Sequence, residues 1–222
     1  MFEAAVFDWD ETLADTKKEV VASFQTVLKQ VGCNVSDEFI EKRIGIGARN
    51  TFREALQAAK MAFADEALSG LVERKVNIQL QLTGTVTLFE GTLDLLESLY
   101  GRIKIALASM NNRKVIDKLL TEKRLTEYFT AVITADEVIK PKPDPEIYLN
   151  CAVELKCNPK GCVVLEDSIF GVRAAKAAGM KCIGVTTGAY DREELEKESA
   201  DLVVRSLEEN ERILDFIFDR TR

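Results

Sequence analysis

Apolar and polar positions follow different periods in different parts of this chain. Ala4 to Phe7 form an unbroken apolar run, which is typical of a buried strand in a parallel sheet. From residue 16 to about residue 87 the apolar residues recur at helical spacing, and Gly32 and the Gly45-Ile46-Gly47 segment interrupt that pattern. From about residue 88 short apolar runs alternate with helical patterns. This alternation predicts a Rossmann-like α/β fold with a mostly parallel sheet.

These periods predict a core and an insertion. We expect an α/β core domain of residues 1–15 and 88–222, and an all-helical cap domain of residues 16–87. After the first strand, further strands are predicted at 103–108, 131–134, 162–165, 182–185 and 202–204. Side chains suited to capping helix N-termini are Ser36, Asn50, Asp65, Asp144 before Pro145, and Ser206 in a capping-box pattern with Glu209.

Composition narrows the class of protein. The chain has 222 residues, a net charge of −7 and 46% apolar residues, as expected for a globular protein without a broad nucleic-acid-binding surface. No apolar run is long enough for a membrane span, and the sequence begins with a predicted strand, not a signal peptide. Five cysteines without a metal-binding CxxC pair indicate a reducing compartment, so we expect a cytoplasmic protein. The chain contains no histidine, which excludes a catalytic histidine or a His-ligated zinc site.

Polar side chains follow several of the predicted strands. They are Asp8, Asp10, Ser109, Lys142 in the loop after the third strand, Glu166 and Asp167. Two aspartates after one strand are equally typical of a solvated turn, but the carboxyl ends of parallel strands share one edge of a sheet. Oxygen ligands without His or Cys suit a hard cation such as Mg²⁺, and a lysine with a hydroxyl suits a phosphate. The pattern therefore predicts Mg²⁺-dependent phosphoryl chemistry.

Four motifs in order give the chain a family resemblance. Asp8-Trp9-Asp10-Glu11-Thr12-Leu13 resembles the first motif of the haloacid dehalogenase superfamily, DxDGT[LV]. Ser109 after an apolar strand resembles the second, Lys142 to Tyr148 the third, and Glu166-Asp167-Ser168 with the following Gly and Ala residues the fourth. The chain is most similar to the branch that contains β-phosphoglucomutase and phosphoglycolate phosphatase. Together the motifs cover nearly the whole sequence.

The resemblance implies a role for each motif residue. Asp8 would be the nucleophile that forms an aspartyl-phosphate and would also bind Mg²⁺. Asp10 would be the general acid and then the base, and would bind the metal through its backbone carbonyl. Ser109 and the amides after it, beginning with Met110, would hold the phosphoryl group, and Lys142 would neutralise charge. Asp167 would complete the metal shell, with Glu166 as a secondary ligand.

Some assignments stay open in the sequence. Lys140 offers a second register for the loop lysine, although Lys142 better matches the acid and aromatic positions that follow. Glu11 stands where the motif has glycine; its side chain either clashes with a turn of positive φ or contacts the cap. On the cap side, Arg49 and, as a weaker candidate, Lys75 could contact the substrate, as could Asn111 on the core. Arg49 could equally be a surface arginine, and Asn111 could instead start the next helix.

Three functions remain possible from the sequence. The resemblance favours a phosphatase acting on a small phosphorylated metabolite, such as a sugar phosphate or phosphoglycolate. The alternative is a sugar phosphomutase, but the histidine that the mutase carries on the first cap helix is absent, and Val20 lies near its position. A phosphoaccepting signalling domain uses similar residues but lacks a helical insertion. We expect no nucleic-acid or membrane partner, and a monomer or weak dimer.

Overall fold

A parallel sheet forms the centre of the molecule. The computed structural model describes residues 1–219, and in that range six strands pair in the order β5-β4-β1-β6-β7-β8, with every pairing parallel. Two shorter strands, β2 and β3, pair separately and antiparallel. The strands are β1 Ala4–Phe7, β2 Ala14–Asp15, β3 Thr87–Leu88, β4 Lys104–Ser109, β5 Ala131–Thr134, β6 Cys162–Glu166, β7 Lys181–Val185 and β8 Leu202–Val204.

Helices cover both faces of this sheet. Successive residues of a strand point to opposite faces, so Ala5 and Phe7 of β1 join one apolar cluster while Ala4 and Val6 join another. The helices after the insertion are α5 Thr92–Leu99, α6 Arg113–Lys123, α7 Glu146–Leu155, α8 Ile169–Ala177, α9 Arg192–Lys197 and α10 Asn210–Phe218. Side chains of α5, α6 and α10 join the first cluster, and those of α7, α8 and α9 join the second. The predicted fold class is confirmed.

Four helices lie between β2 and β3 and have an apolar core of their own. They are α1 Lys17–Gln30, α2 Asp37–Glu41, α3 Ala48–Ala58 and α4 Ala67–Leu82. The ring centroids of Phe24 and Phe52 lie 4.8 Å apart in that core. The chain enters and leaves this helical insertion through the β2–β3 pair, where Ala14 lies opposite Leu88. The division into a core domain and a cap domain at residues 16 and 87 agrees with this arrangement and stays a prediction.

Several predicted helix starts are wrong. Ser36 does cap α2 by accepting a hydrogen bond from the Phe39 amide, but Asn50 lies inside α3, which begins after Gly47. Asp65 forms ion pairs with two arginines and caps no helix. Asp144 does accept a 3.1 Å hydrogen bond from the backbone amide of Glu146, as a helix cap does, although α7 itself begins at Glu146, one residue later than expected. α10 begins at Asn210, beyond the predicted capping box. Gly47, with positive φ, precedes α3, and ion pairs with two arginines outweigh the local preference of Asp65 for a cap.

Candidate active site

Lys142 connects two strand ends at the carboxyl edge of the sheet. Its Nζ atom lies 2.6 Å from Oδ1 of Asp8 and 2.6 Å from Oε1 of Glu166, and it also donates to the Ala108 carbonyl at 3.3 Å. The Lys142 side chain is fully buried. Lys140 is exposed and lies 3.9 Å from Asp144, so the structure brings Lys142, and not Lys140, to the strand ends.

Charges at these strand ends affect one another strongly. Burial alone lowers the pKa of Lys142, but the carboxylates of Asp8 and Glu166 outweigh burial and hold that pKa above its usual value. Burial raises the pKa of Asp8, and Lys142 opposes this rise. The protein therefore keeps a charged ammonium group beside Asp8, where a phosphate dianion approaching that carboxylate would otherwise meet repulsion.

Glu166 is saturated with hydrogen bonds. Its Oε1 accepts from Lys142 and, at 2.8 Å, from the Tyr148 hydroxyl; its Oε2 accepts from the amide and the hydroxyl of Ser168, both at 2.9 Å. A carboxylate offers about four acceptor sites, and four donors use them here. Gly171 provides the space, because a Cβ there would overlap the Glu166 carboxyl group. Glu166 is thus arranged to hold Lys142, and its expected role as a secondary metal ligand stays an untested prediction.

Asp10 lies where the core meets the helical insertion. Its Oδ1 accepts a hydrogen bond of 2.8 Å from the hydroxyl of Thr16, the residue that precedes α1. Its Oδ2 has longer contacts of 3.5 Å with the Ser109 hydroxyl and the Asn111 side-chain amide. Burial raises the pKa of Asp10, and the Thr16 hydrogen bond opposes this. A carboxyl group with a raised pKa suits a general acid that must later accept a proton.

Asp167 completes the acidic edge and is the best candidate for a metal ligand. Its Oδ1 accepts a 3.3 Å hydrogen bond from Thr12, and a Cβ at Gly188 would overlap its Oδ2. Burial, and then the nearby Glu166, Asp8 and Glu11 carboxyl groups, raise the pKa of Asp167. Crowded carboxyl groups of this kind are relieved by a cation.

The oxygen donors at these strand ends suit Mg²⁺, which keeps several water ligands, better than they suit a metal ion whose ligands all come from the protein. Within residues 1–219, no three acidic, histidine or cysteine side chains form a complete metal cage. Mg²⁺ is usually held by one or two carboxylates and keeps several waters. Asp8, Asp167 and the backbone carbonyl of Asp10 would supply such a set.

Ser109 and Met110 lie at the end of β4, as predicted. The buried Ser109 hydroxyl accepts a 3.1 Å hydrogen bond from the Asn111 amide, so it shapes the turn before α6 as well as facing Asp10. Met110 packs under the insertion, where a Cβ at Gly47 would lie 3.2 Å from its Cε. Met110 therefore lies at the junction between the core and the insertion.

Lys75 reaches the site from the helical insertion. It is 3% exposed, donates to Gln79 and, at 3.4 Å, to Oδ1 of Asn111, and lies 5.1 Å from the Phe24 ring centroid. Burial lowers its pKa to about 8, and Asp10 opposes this. Since both hydrogen-bond partners are neutral, the ammonium group has capacity for an anion.

A cavity of about 800 Å³ separates the insertion from the core. Arg49, Lys75 and Asn111 all line it, which brings together the three side chains that the sequence indicated as candidate substrate contacts. A smaller space, lined by Asp10, Lys75 and Asn111 among others, adjoins the carboxyl edge of the sheet. The larger volume is typical of a small-molecule site.

The Glu11 side chain contacts the helical insertion, which is one of the two alternatives that the sequence left open for it. Its backbone has φ of +61°, and its buried side chain turns toward α1, where Oε1 accepts a 2.9 Å hydrogen bond from the Thr16 amide. Its Oε2 lies 3.6 Å from Lys17, and burial raises its pKa to about 7. Glu11 thus contacts the first helix of the insertion, and the loop accommodates its positive φ.

Comparison with known proteins identifies the family. A family model described as haloacid dehalogenase-like hydrolase matches residues 5–185. The chain belongs to this family. The predicted resemblance is confirmed, and the expectation of an enzyme is confirmed with it.

Two curated relatives and one solved structure illustrate this similarity. The chain is 30% identical over 185 residues to the fructose-1-phosphate phosphatase YqaB of Escherichia coli, covering 83% of this chain and 96% of that protein. It is 30% identical over 205 residues to the phosphorylated carbohydrates phosphatase of Thermotoga maritima, covering 91% and 94%. The crystal structure of β-phosphoglucomutase from Clostridium difficile superposes with a TM-score of 0.87 at 28% identity, covering 99% of each chain.

The structure also shows hydrogen-bond partners of the site residues that no spacing in the sequence reveals. Thr16, Tyr148 and Gln79 each hydrogen-bond a candidate site residue: Asp10, Glu166 and Lys75 respectively. Tyr148 belongs to a recognised motif, but only the fold shows its hydroxyl next to Glu166.

No helix in the described part of the chain has both the length and the apolar character needed to cross a bilayer.

Proposed function

We propose that this protein is a Mg²⁺-dependent phosphatase that hydrolyses a small phosphorylated metabolite of the sugar phosphate or phosphoglycolate type. The observation that carries the proposal is the buried Lys142 ammonium group, held by Glu166 against the carboxylate of Asp8. This pairing offers a nucleophilic oxygen and a positive charge at one point, as attack on a phosphate monoester requires.

In the proposed reaction an oxygen of Asp8 attacks phosphorus, and the bond from phosphorus to the ester oxygen breaks. Asp10 donates its proton to the leaving oxygen. Asp10 then accepts a proton from a water molecule, whose oxygen attacks phosphorus and releases Asp8 with inorganic phosphate. Bound Mg²⁺ would neutralise charge between the phosphate and the carboxylates. Lys142 and Ser109 would hold the phosphoryl oxygens.

The charge of the cavity supports an anionic substrate. Four basic side chains line the cavity against two acidic ones, in a chain whose net charge is −7; they are Arg49, Arg53, Lys75 and Lys114, and Glu73 and Asp136. Even with Asp65 beside Arg49 and Arg53 counted, basic groups outnumber acidic ones here, and a concave region of this kind attracts anions. The named sugar-phosphate substrate of the E. coli relative and the carbohydrate substrates of the T. maritima relative fit this class.

A sugar phosphomutase is the second candidate, because β-phosphoglucomutase superposes over the whole chain. Val20 argues for hydrolysis. It lies on α1, near the position where the mutase carries its histidine, and its side chain is buried in the apolar core of the insertion. A valine offers no polar group to a sugar hydroxyl at that point.

Phosphate release tests the proposal. Purified protein would be incubated with fructose 1-phosphate, glucose 1-phosphate, phosphoglycolate and p-nitrophenyl phosphate, with Mg²⁺ or with EDTA. We expect release that requires Mg²⁺ from at least one of them. If the folded protein releases no phosphate but isomerises glucose 1-phosphate when primed with a bisphosphate, the protein is a mutase and not a phosphatase.

A further inference from the structure

Asp65 holds two arginines of the insertion at once. Its Oδ2 accepts a 2.6 Å hydrogen bond from Nη2 of Arg49. Its Oδ1 accepts from Arg53 twice, from Nη2 at 2.9 Å and from Nε at 3.3 Å. The Asp65 backbone carbonyl accepts a second hydrogen bond from Arg49 at 2.9 Å. These hydrogen bonds hold the pKa of Asp65 below its usual value, so the carboxylate is charged at neutral pH.

Arg49 and Arg53 lie one turn apart on α3 and line the large cavity. Neither lines the smaller space beside Asp10, whereas Lys75 lines both. The two guanidinium groups therefore line a part of the cavity away from the small space beside Asp10. A substrate would present its remote end to them.

The donors of these guanidinium groups are already engaged. Arginine binds a phosphate or carboxylate most strongly through two parallel N–H groups on one edge. The Nε–Nη2 edge of Arg53 is turned to Asp65. Arg49 donates from Nη1 to the Ser69 hydroxyl at 3.0 Å and from Nη2 to the Asp65 carboxylate. A second anionic group of a substrate must therefore displace the Asp65 carboxylate or lie beside it.

We propose that Asp65 is a specificity-determining residue that occupies Arg49 and Arg53 and so disfavours substrates with a second anionic group. This inference rests on the proposed function, because it concerns the remote end of the same cavity. Asp65 does not weaken the binding of a substrate whose remote end is a neutral polyol. A substrate with a second phosphate there must compete with Asp65 for the two arginines.

Glu73 provides a matched control. It lines the same cavity from α4 and carries the same charge as Asp65, but no ion pair joins it to Arg49 or Arg53 within residues 1–219. Asp65→Asn and Glu73→Gln therefore remove equal charge near the same cavity. Only Asp65→Asn removes a negative charge that contacts the two guanidinium groups.

Binding affinity, measured without turnover, tests the inference. Each variant would be made in an Asp8→Asn background, and Kd for fructose 1,6-bisphosphate and fructose 1-phosphate would be measured by titration calorimetry with Mg²⁺. We expect Asp65→Asn to tighten bisphosphate binding about three- to tenfold and to change monophosphate binding less than about twofold. We expect Glu73→Gln to change the ratio of the two Kd values much less.

Four outcomes would overturn the inference. Weaker bisphosphate binding by Asp65→Asn would show that Asp65 instead orients the arginines for an anion, and unchanged binding would show that Asp65 has no role in this specificity. Glu73→Gln could tighten binding equally, which would assign the effect to general charge. Neither sugar could bind to any variant. Failure of the proposed function is separate: it appears as absent phosphate release from the unsubstituted protein, while the ratio of Kd values still decides the role of Asp65.

Discussion

The carboxyl group of Glu166 occupies the space that a Cβ at Gly171 would need. Gly171 lies within α8, where alanine is otherwise favoured by about 1 kcal/mol. We expect Gly171→Ala to displace Glu166 from Lys142, to lower the free energy of unfolding by about 2–4 kcal/mol and to reduce kcat. Urea denaturation and phosphate release measure the two effects.

A glycine of α4 provides the comparison. Nothing lies within 4 Å of a Cβ built on Gly70, so Gly70→Ala should raise the free energy of unfolding by about 0.5–1 kcal/mol. If both substitutions stabilise the protein, the space beside Gly171 is not needed by Glu166.

Substitution of Asp8 tests the nucleophile. Asp8→Asn keeps the shape of the side chain but removes the oxygen nucleophile, so we expect phosphate release to fall at least about 1,000-fold. Thermal unfolding and circular dichroism should show a folded protein. Asp94→Asn, on the exposed surface of α5, should retain the full rate. A rate for Asp8→Asn close to that of the unsubstituted enzyme would exclude Asp8 as nucleophile.

Metal dependence separates the two adjacent acids at the end of β6. Asp167 has one long hydrogen bond, whereas all the acceptor sites of Glu166 are used. We expect Asp167→Asn to raise the Mg²⁺ concentration for half-maximal activity about tenfold or more, and Glu166→Gln to change it less than about twofold. Both values come from activity measured across a Mg²⁺ titration. If Glu166→Gln raised the required Mg²⁺ concentration more than Asp167→Asn did, Glu166 would be the metal ligand.

Lys75 links stability to pH. Because its pKa is about 8 in the folded protein and about 10.4 when unfolded, both states are protonated below pH 8 and the cost of burying the charge is fully present there. Between pH 8 and 10.4 the unfolded state binds more protons, so this cost disappears as pH rises. Lys75→Met should therefore stabilise the protein by up to about 3 kcal/mol at pH 7, with a gain that shrinks above pH 8.

The same substitution should impair substrate binding. Lys75→Met removes the buried cation next to Asp10 and Asn111, so we expect KM to rise about tenfold or more. Lys114→Met removes an exposed cation from the same cavity and should change stability little. Denaturation at pH 7 and pH 9, together with KM, checks both effects. A destabilised Lys75→Met at pH 7 would contradict this account of its burial.

The position of the site was predictable because strand ends were visible in the sequence. Asp8, Ser109 and Glu166 each follow or end an apolar run, and parallel pairing then brings them to one edge. The predicted helix cap at Asn50 is wrong, because Gly47, with φ of +84°, precedes α3 and the helix begins at Ala48. The β2–β3 pair is too short, at two residues per strand, to give a period.

Side-chain partners were harder to infer than positions. The roles of Glu166 and Tyr148 depend on a hydrogen bond between residues from β6 and α7, which no spacing in the sequence reveals. Asp65 was interpreted as a helix cap because aspartate favours that position, but two arginines one turn apart on α3 compete for it. In both cases the tertiary contact outweighs the local preference.

The β2–β3 pair has a consequence for the evolution of this chain. Both crossings into the helical insertion lie side by side, with Ala14 opposite Leu88 and Asp15 opposite Thr87, so the insertion leaves and rejoins the core at one point. Its length and sequence can therefore change without altering the order of strands in the sheet. Under the proposed function, mutation in the four helices can give new substrate ranges while the groups at the strand ends are inherited unchanged.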